Sequence, residues 1–443
     1  MSKRCLKAPA VLLFVLVGFL SSCSTTPNDD GVTPVDIPAA SMSYIVLAWN
    51  DLGMHCLNPT YDKEVLLPPY NTIWAQVIKR GNPPEIITAD VTVEYRIVDN
   101  TFSYGKGTAS PLRSYGQFWD NSLDLFGVDL VHDTGLNLVD PDIHNGLSGN
   151  MLLKGNHFEV DGVPVVPIND AGNWDPYQVA EVIVRDASTH TELVRTRATV
   201  PTSDEINCVK CHGHGDVKSV LESHDEEEDT TFVADGVPVL CADCHGSPAL
   251  GQTGPGSSEK YLSEVIHGFH STKSAACYDC HPGATTKCSR STSHTTTDGN
   301  CTACHGTLAN VASTIKNGRV PWVNEPKCKD CHTFVAEVDT GSTLYRNANA
   351  HNGISCPACH GSPHAQIPSN RPVDHYQALQ YQNKALALGS CRVCHSGSKG
   401  GGLTGIVEAH GGSRPTACSV CHTGPISTNN PLNFPHQFQQ RSR

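Results

Sequence analysis

The chain divides into two regions by the pattern of its hydrophobic residues. Before residue 205, short runs of β-branched and aromatic residues recur, beginning with YIVLAW at 44–49, TIWAQVIKR at 72–80 and ITADVTVEYRIV at 87–98. From Val91 to Ile97 apolar residues alternate with polar ones. An alternation of period two predicts strands with one buried face.

Two further segments of this region predict β-hairpins. FEVDGVPVV at 158–166 places Asp161-Gly162 between two apolar runs, and VAEVIVRDASTHTELVRTRATV at 179–200 reads as strand, turn and strand. Together, the runs predict an all-β, antiparallel, immunoglobulin-like sandwich domain over residues 43–204.

Residues 205–443 have a different composition, rich in Gly, Ser, Thr, Pro and His, with few aliphatic runs. A chain this polar cannot bury enough apolar area to offset the entropy of ordering its backbone. We therefore predict that prosthetic groups form the core of this second domain, with loops and short helices around them.

The pentapeptide C-x-x-C-H recurs eight times in this second domain, at start-to-start distances of 24 to 36 residues. In AHNGISCPACHGSPH, residues 350–364, it is Cys356 to His360. Two thiols at this spacing can add to the two vinyl groups of one porphyrin, and the adjacent histidine can bind its iron. Zinc sites also use C-x-x-C, but they have no use for a histidine after every pair. We therefore predict eight covalently bound haems c.

The predicted attachment cysteines and proximal histidines define motifs 1 to 8 in chain order. They are Cys208, Cys211 and His212; Cys241, Cys244 and His245; Cys277, Cys280 and His281; Cys301, Cys304 and His305; Cys328, Cys331 and His332; Cys356, Cys359 and His360; Cys391, Cys394 and His395; Cys418, Cys421 and His422.

A second axial ligand decides whether a haem iron can bind a substrate. Ten further histidines in the second domain are enough to make eight bis-histidine irons with two to spare. Several stand just upstream of a motif, where we expect delivery to a neighbouring ring, and two near their own proximal histidine, His214 and His364, are the expected spares. The other candidates are His224, His267, His270, His294, His351, His375, His410 and His436.

The N-terminus carries a basic segment and then an apolar run at 10–20, which is too short to span a bilayer. The following Cys23 and Ser24 complete a pattern that resembles a bacterial lipoprotein signal. The resemblance implies a signal peptide at 1–22, a lipidated Cys23 and sorting to the outer membrane, on its periplasmic face or at the cell surface. The polar residues 23–42 predict a flexible tether.

The formal net charge of −13 argues against nucleic acid as a partner, because phosphate binding needs a basic surface. From Ile206 onward there are 19 acidic and 18 basic residues, so the excess of negative charge lies in the first domain. HDEEED at 224–229 predicts a solvated charged loop after motif 1.

With its eight motifs, the second domain resembles the multihaem c-type cytochromes of respiratory bacteria. With the lipoprotein signal, the whole chain resembles the outer-membrane lipoprotein cytochromes of metal-reducing bacteria. The resemblance implies electron transfer, without catalytic residues, to partner cytochromes, metal oxides or soluble metal ions. One alternative is an octahaem reductase or oxidase of a small nitrogen or sulfur compound, with one open-coordinated haem. Another is a sandwich that binds a polysaccharide or protein and carries the haems as cargo.

Three features remain open at the level of sequence. In WNDLGMHC, residues 49–56, His55 is either a metal ligand or part of a packed turn, and we favour the turn. Cys56 and Cys288 are unassigned and can be free or joined in a disulfide. The aspartates between residues 119 and 145 suit either calcium or a solvated acidic loop, and we favour the loop.

Overall fold

The computed structural model describes residues 42–107, 113–283, 285–292, 294, 301–327, 330, 343–350 and 353–396. The predicted signal peptide, Cys23 and the tether up to residue 41 lie outside the described residues. So do motif 8, motif 5 apart from Asp330, and the candidate ligands His351, His410 and His436.

Strands dominate the first domain. In chain order its strands are β1 Tyr44–Trp49, β2 His55–Cys56, β3 Glu64–Val65, β4 Ile73–Lys79, β5 Glu85–Ile87, β6 Val91–Ile97, β7 Ser148–Asn150, β8 Leu152–Lys154, β9 His157–Val160, β10 Val179–Asp186, β11 Glu192–Thr199 and β12 Thr202–Ser203. Three two-residue strands follow in the second domain, β13 Val239–Leu240, β14 Asn349–Ala350 and β15 Ile354–Ser355.

Two antiparallel sheets share one apolar core. The first has the order β1-β4-β9-β8 with β5 paired to β4, and the second has the order β11-β10-β6-β7. Buried side chains of both sheets, among them Val77 of β4 and Val182 of β10, form a single cluster. The strands predicted within 44–49, 72–80, 87–98 and 179–200 are confirmed. The immunoglobulin-like assignment stays a prediction.

Strand β1 is buried on both faces. Val46 and Ala48 point into the core between the sheets. Ile45, Leu47 and Trp49 pack outward in a second cluster formed with the C-terminal part of the chain. The strand is therefore apolar at successive positions because both of its faces are buried. An alternating sequence would place polar side chains on one of these faces.

The hairpin predicted at 158–166 is wrong. Strand β9 ends at Val160 and pairs with β8 and β4 instead. Gly162 has a φ of +71°, and a Cβ there would lie 1.7 Å from the carbonyl oxygen of Leu136. The Asp-Gly pair thus permits a close approach of two loops rather than a two-residue turn between strands.

Short helices and loops make up most of the described chain after residue 205, as predicted; small two-residue strands such as β13, which pairs with β3, are the exception. The α-helices are α1 Gln117–Asp120, α2 Ser122–Phe126, α3 Val220–Glu228, α4 Phe232–Asp235, α5 Leu262–His270, α6 Cys277–Cys280, α7 Cys301–His305, α8 Leu308–Lys316, α9 Cys356–His360 and α10 Tyr376–Gln382. No helix in the described ranges is long and apolar enough to cross a bilayer.

Helix α3 replaces the charged loop predicted at 224–229. Its first turn is closed by a capping box, in which Ser219 Oγ accepts from the backbone N of Glu222 at 3.3 Å and the Glu222 carboxylate accepts from Ser219 N at 2.8 Å. Such a box satisfies two backbone donors that otherwise lack partners at a helix start. The capping box stabilises the start of a helix that includes most of the acidic run, and His224 lies on this helix.

Buried polar contacts join the two predicted domains at their boundary. Thr196 Oγ1 of β11 donates to Gln380 Oε1 at 2.7 Å, and Arg290 Nη1 donates to the carbonyl oxygen of Gly53 at 2.7 Å. Residues 43–204 therefore share an interior with the chain that follows.

Candidate functional site

Each of the six described motifs forms a single helical turn. Motifs 3, 4 and 6 lie in α-helices, and motifs 1, 2 and 7 begin as 3₁₀-helices. In motifs 1 to 3 the backbone N of the histidine donates to the carbonyl oxygen of the first cysteine at 2.8 to 3.0 Å. Because residues three and four apart lie on the same side of a helical turn, both cysteines and the histidine share one face.

Four proximal histidines each lie opposite one candidate distal histidine. The distances between ring centroids fall in a narrow range, while the angles between ring planes vary widely. The pairs are His212 with His270 (6.3 Å, 89°), His245 with His224 (6.4 Å, 70°), His281 with His267 (6.1 Å, 20°) and His305 with His364 (6.2 Å, 30°).

The four separations lie close to one value, whereas other ring pairs in the described residues range from 3.4 Å for Tyr104 and His132 to 6.4 Å for Trp49 and Trp74. A metal atom bound by two imidazoles at about 2.0 Å would hold their centroids about 6.3 Å apart, whatever the angle between the planes. The gap between each pair therefore fits one metal atom.

The hydrogen bonds of these histidines determine which ring nitrogen carries the proton and which one has a lone pair available to a metal. Thr230 Oγ1 donates to Asp225 and Ser258 Oγ donates to Lys260 O, so both hydroxyls must accept from their histidine. Backbone carbonyls can only accept. The Nδ1 partners are Lys218 O for His212 (3.1 Å), Thr230 Oγ1 for His224 (3.0 Å), Ser258 Oγ for His245 (2.8 Å), Ser263 O for His267 (2.7 Å) and Ile266 O for His270 (2.8 Å).

These acceptors select the tautomer with the proton on Nδ1, which leaves the lone pair of Nε2 for a metal. His305 has a carboxylate in the same place, with Nδ1 3.5 Å from Glu325 Oε2. His364 Nδ1 lies 3.5 Å from the carbonyl oxygen of Leu52.

Burial keeps several of these imidazoles neutral. It lowers the pKa of His281 to about 4, with a further contribution from the neighbouring His267. Burial also lowers the pKa values of His245, His267 and His364. The neutral imidazole is the form that binds a metal.

Neighbouring motifs lie close enough for their thiols to interact. Burial and then the thiol of Cys208 raise the pKa of Cys241 to about 12, which places motif 1 beside motif 2. Burial and then Cys359 raise the pKa of Cys394 to about 12, which places motif 6 beside motif 7. Burial and then the neighbouring thiol of Cys277 raise the pKa of Cys301, which places motif 3 beside motif 4.

The remaining described candidates have other surroundings. His375 Nε2 accepts a hydrogen bond from Ser369 N at 2.9 Å, so this nitrogen is occupied within the protein. His294 is exposed, with Nδ1 3.3 Å from Ser291 Oγ, and His214 lies in an exposed turn. His364 was expected to be a spare, but the structure brings it opposite His305.

The structure shows the contacts of His55 and the state of Cys56 and Cys288, which the sequence left open. His55 is buried with Nε2 3.0 Å from Asp51 Oδ1, as a packed turn predicts. Cys56 and Cys288 are free thiols, and burial raises the pKa values of both, that of Cys288 to about 11.

The aspartates between residues 119 and 145 are dispersed. Asp133 accepts from the backbone N of Ser103 at 2.6 Å, and Asp120 accepts from Tyr104 Oη at 3.0 Å. Within the described residues, no group of three or more His, Cys, Asp and Glu side chains converges as a metal site.

Sequence reasoning missed the residues that orient the histidines. Ser258, Thr230 and Glu325 stand at no regular distance from the motifs, and a lone hydroxyl or carboxylate in a polar segment has no distinguishing signal. Backbone acceptors such as Lys218 O and Ile266 O carry no sequence signal at all.

Comparison with protein families finds a similarity in one segment of the chain. Residues 309–361 match the family model described as cytochrome c554 and c-prime, and this segment includes motifs 5 and 6. No curated protein matches the chain. The matched segment is similar to a c-type cytochrome, which supports haem, iron and electron transfer in general.

Proposed function

We propose that this protein is an electron carrier with eight covalently bound haems c, most of them with two histidine ligands. The observation that carries the proposal is the set of four histidine pairs, each containing the histidine of a C-x-x-C-H motif. Each pair also contains at least one histidine whose Nδ1 faces an oxygen acceptor, which leaves its Nε2 lone pair for a metal. One metal atom between two imidazoles accounts for a constant distance at any angle.

The proposed axial ligands are His212 and His270 for motif 1, His245 and His224 for motif 2, His281 and His267 for motif 3, and His305 and His364 for motif 4. The donor chemistry fits a haem, which leaves two axial positions for the protein. When bound, the haem supplies a one-electron redox centre. The chain would hold the porphyrin through two thioethers, and the proposed histidines would supply their Nε2 lone pairs to the iron.

The carrier is favoured over a reductase at these four sites. Two strong protein ligands leave no position for a substrate on the iron. The family match is compatible with both classes, so the octahaem reductase remains the second candidate for motifs whose second ligand is not described.

The proposed location and partners follow from the sequence. A lipidated Cys23 would anchor the protein in the outer membrane. Partner cytochromes, other outer-membrane electron-transfer proteins, metal oxides or soluble metal ions would then exchange electrons with the haem array.

Two measurements on the purified protein test the proposal. Intact mass should exceed that of the processed polypeptide by eight haems, and fewer would mean that some motifs do not bind haem. The visible spectrum of the dithionite-reduced protein should not change with carbon monoxide. A change equal to about one haem would show an open iron and favour the reductase.

A further inference from the structure

The segment WNDLGMHC, residues 49–56, has no role in the function proposed above. The structure nevertheless places the turn that follows β1 against the loop 361–365. We propose that this turn of the first domain positions His364 as the ligand opposite His305. The inference rests on the proposed function, in which this pair binds the iron of motif 4.

Three contacts join the turn to the loop that carries His364. The backbone N of Asn50 donates to Ser362 Oγ at 3.2 Å. The carbonyl oxygen of Leu52 lies 3.5 Å from His364 Nδ1, where it orients the imidazole. A Cβ on Gly53 would lie 1.7 Å from the carbonyl oxygen of Pro363, so only glycine permits this approach.

The turn is itself held rigidly by the side chain of Asn50, which is fully buried. Its Oδ1 accepts from the backbone N of Leu52 and Gly53 at 3.1 and 2.6 Å. Its Nδ2 donates to the carbonyl oxygen of Thr72 at 3.0 Å, which ties the turn to the start of β4. These hydrogen bonds of Asn50 hold the turn from within the first domain.

Arg290 connects the turn and the His364 loop from the other side. Its guanidinium is fully buried and donates to the carbonyl oxygen of Gly53 at 2.7 Å. Its backbone N donates to the carbonyl oxygen of His364 at 2.6 Å. Two hydrogen bonds to Asp374, at 2.9 and 3.1 Å, fix the guanidinium.

The backbone of His364 needs such support. Its φ is +58°, a left-handed conformation that is unfavourable for a residue other than glycine. A residue remains in this region only where its surroundings determine it. The contacts of Arg290 and of the turn hold the backbone of His364 in this conformation. The first domain therefore contributes part of the motif 4 site.

The test compares three single variants of the full-length holoprotein. Gly53→Ala introduces the clash with Pro363. Gly172→Ala is the matched control, because Gly172 also has a positive φ, +77°, but no atom within 4 Å of its Cβ position. His364→Ala reports the spectrum of an iron without its proposed second ligand.

We expect His364→Ala to bind about one equivalent of carbon monoxide per protein after reduction. Gly53→Ala should bind carbon monoxide at the same haem, with the same band positions. Gly172→Ala should bind none. Haem content by mass and far-UV circular dichroism should be unchanged in all three variants.

The outcomes separate the two proposals. If His364→Ala binds no carbon monoxide, the proposed ligand pair is wrong. If His364→Ala binds it but Gly53→Ala does not, the pair stands and the positioning role is wrong. Should Gly53→Ala fail to fold, Ser362→Ala removes only the bond to Asn50 N, and it should raise carbon monoxide binding above that of the wild type. An unchanged Ser362→Ala would then overturn the positioning role.

Discussion

At the scale of single residues, the groups behind the histidines differ in charge. Six Nδ1 atoms face neutral oxygens, whereas His305 faces the carboxylate of Glu325. A carboxylate behind an imidazole makes the ligand more basic and stabilises the oxidised iron more than the reduced one. Outer contacts of this kind therefore set different potentials for irons with the same two ligands.

Replacement of Glu325 by Gln should raise the potential of one haem. The loss of negative charge beside His305 weakens the preference for ferric iron, so we expect an upward shift of a few tens of millivolts, where about 59 mV is a tenfold change for one electron. Spectroelectrochemical titration measures the shift. An unchanged set of potentials would contradict this role, and Glu264→Gln, on helix α5, is the control substitution.

Asp161 should make stability depend on pH. Burial, and then Glu159 and Asp51, raise its pKa to about 7. The protonated carboxyl is favoured in the folded state, so the associated stability is fully present below about pH 4 and is lost as the pH rises to about 7. Asp161→Asn should therefore raise the free energy of unfolding more at pH 8 than at pH 5, by roughly 1–3 kcal/mol.

Urea unfolding at the two pH values measures this difference. Asp186 is a control of opposite sign, because hydrogen bonds from Ser188 and then Thr189 lower its pKa to about 2. Asp186→Asn should reduce stability at both pH values. An equal effect of Asp161→Asn at pH 5 and pH 8 would contradict the expectation.

At the scale of elements, helix α5 is the component that joins two sites. His267 and His270 are three residues apart on this helix and lie opposite histidines of different motifs, 3 and 1. The helix packs on α8, where Gly268 allows close approach, with its Cβ position 3.6 Å from Ala312 Cβ. Under the proposed ligand assignment, a single helix would set the relative positions of two irons.

Removal of His270 should open the iron of motif 1 and not that of motif 3, although motif 3 is nearer in sequence. We expect His270→Ala to bind about one equivalent of carbon monoxide after reduction. In a Cys208→Ala/Cys211→Ala background, which lacks the motif 1 haem, the same change should add no binding. Added binding in that background would assign His270 to another iron.

At the scale of the whole molecule, the described parts of the first and second domains share a common interior. Tyr381 Oη of helix α10 donates to the carbonyl oxygen of Val46 in β1 at 2.8 Å. Gln76 Nε2 of β4 donates to the carbonyl oxygen of Gly353 at 2.9 Å. The outer face of the first sheet is therefore covered by the residues around motifs 6 and 7.

The buried ion pair of Arg290 and Asp374 should contribute strongly to the free energy of unfolding of the protein. Arg290→Met leaves a buried carboxylate without its partner, and we expect a loss of about 3–5 kcal/mol in the free energy of unfolding. Asp374→Leu in the same chain should recover much of it. Lys218→Met breaks an exposed pair with Glu226 and should cost no more than about 1 kcal/mol. Urea unfolding of the oxidised proteins checks all three.

The sequence by itself determined the local chemistry. A C-x-x-C-H motif brings its thiols and imidazole together within one helical turn, and the eight copies, each with its histidine, favour haem attachment over zinc. Alternation along β6 and the paired runs of β10 and β11 likewise predicted strands, because the period of the pattern is that of the pleat.

Only the tertiary structure decided which histidines lie opposite each other. His364 stands four residues after His360 yet lies opposite His305, since distal histidines reach their partners through folding and not through spacing. The hairpin predicted at 158–166 and the loop predicted at 224–229 were wrong because of contacts outside the local pattern. Gly162 packs against the loop at Leu136, and a capping box at Ser219 starts a helix that includes most of the acidic run. The support of His364 by Gly53 and Arg290 depends on chain segments far apart in sequence, which no local pattern records.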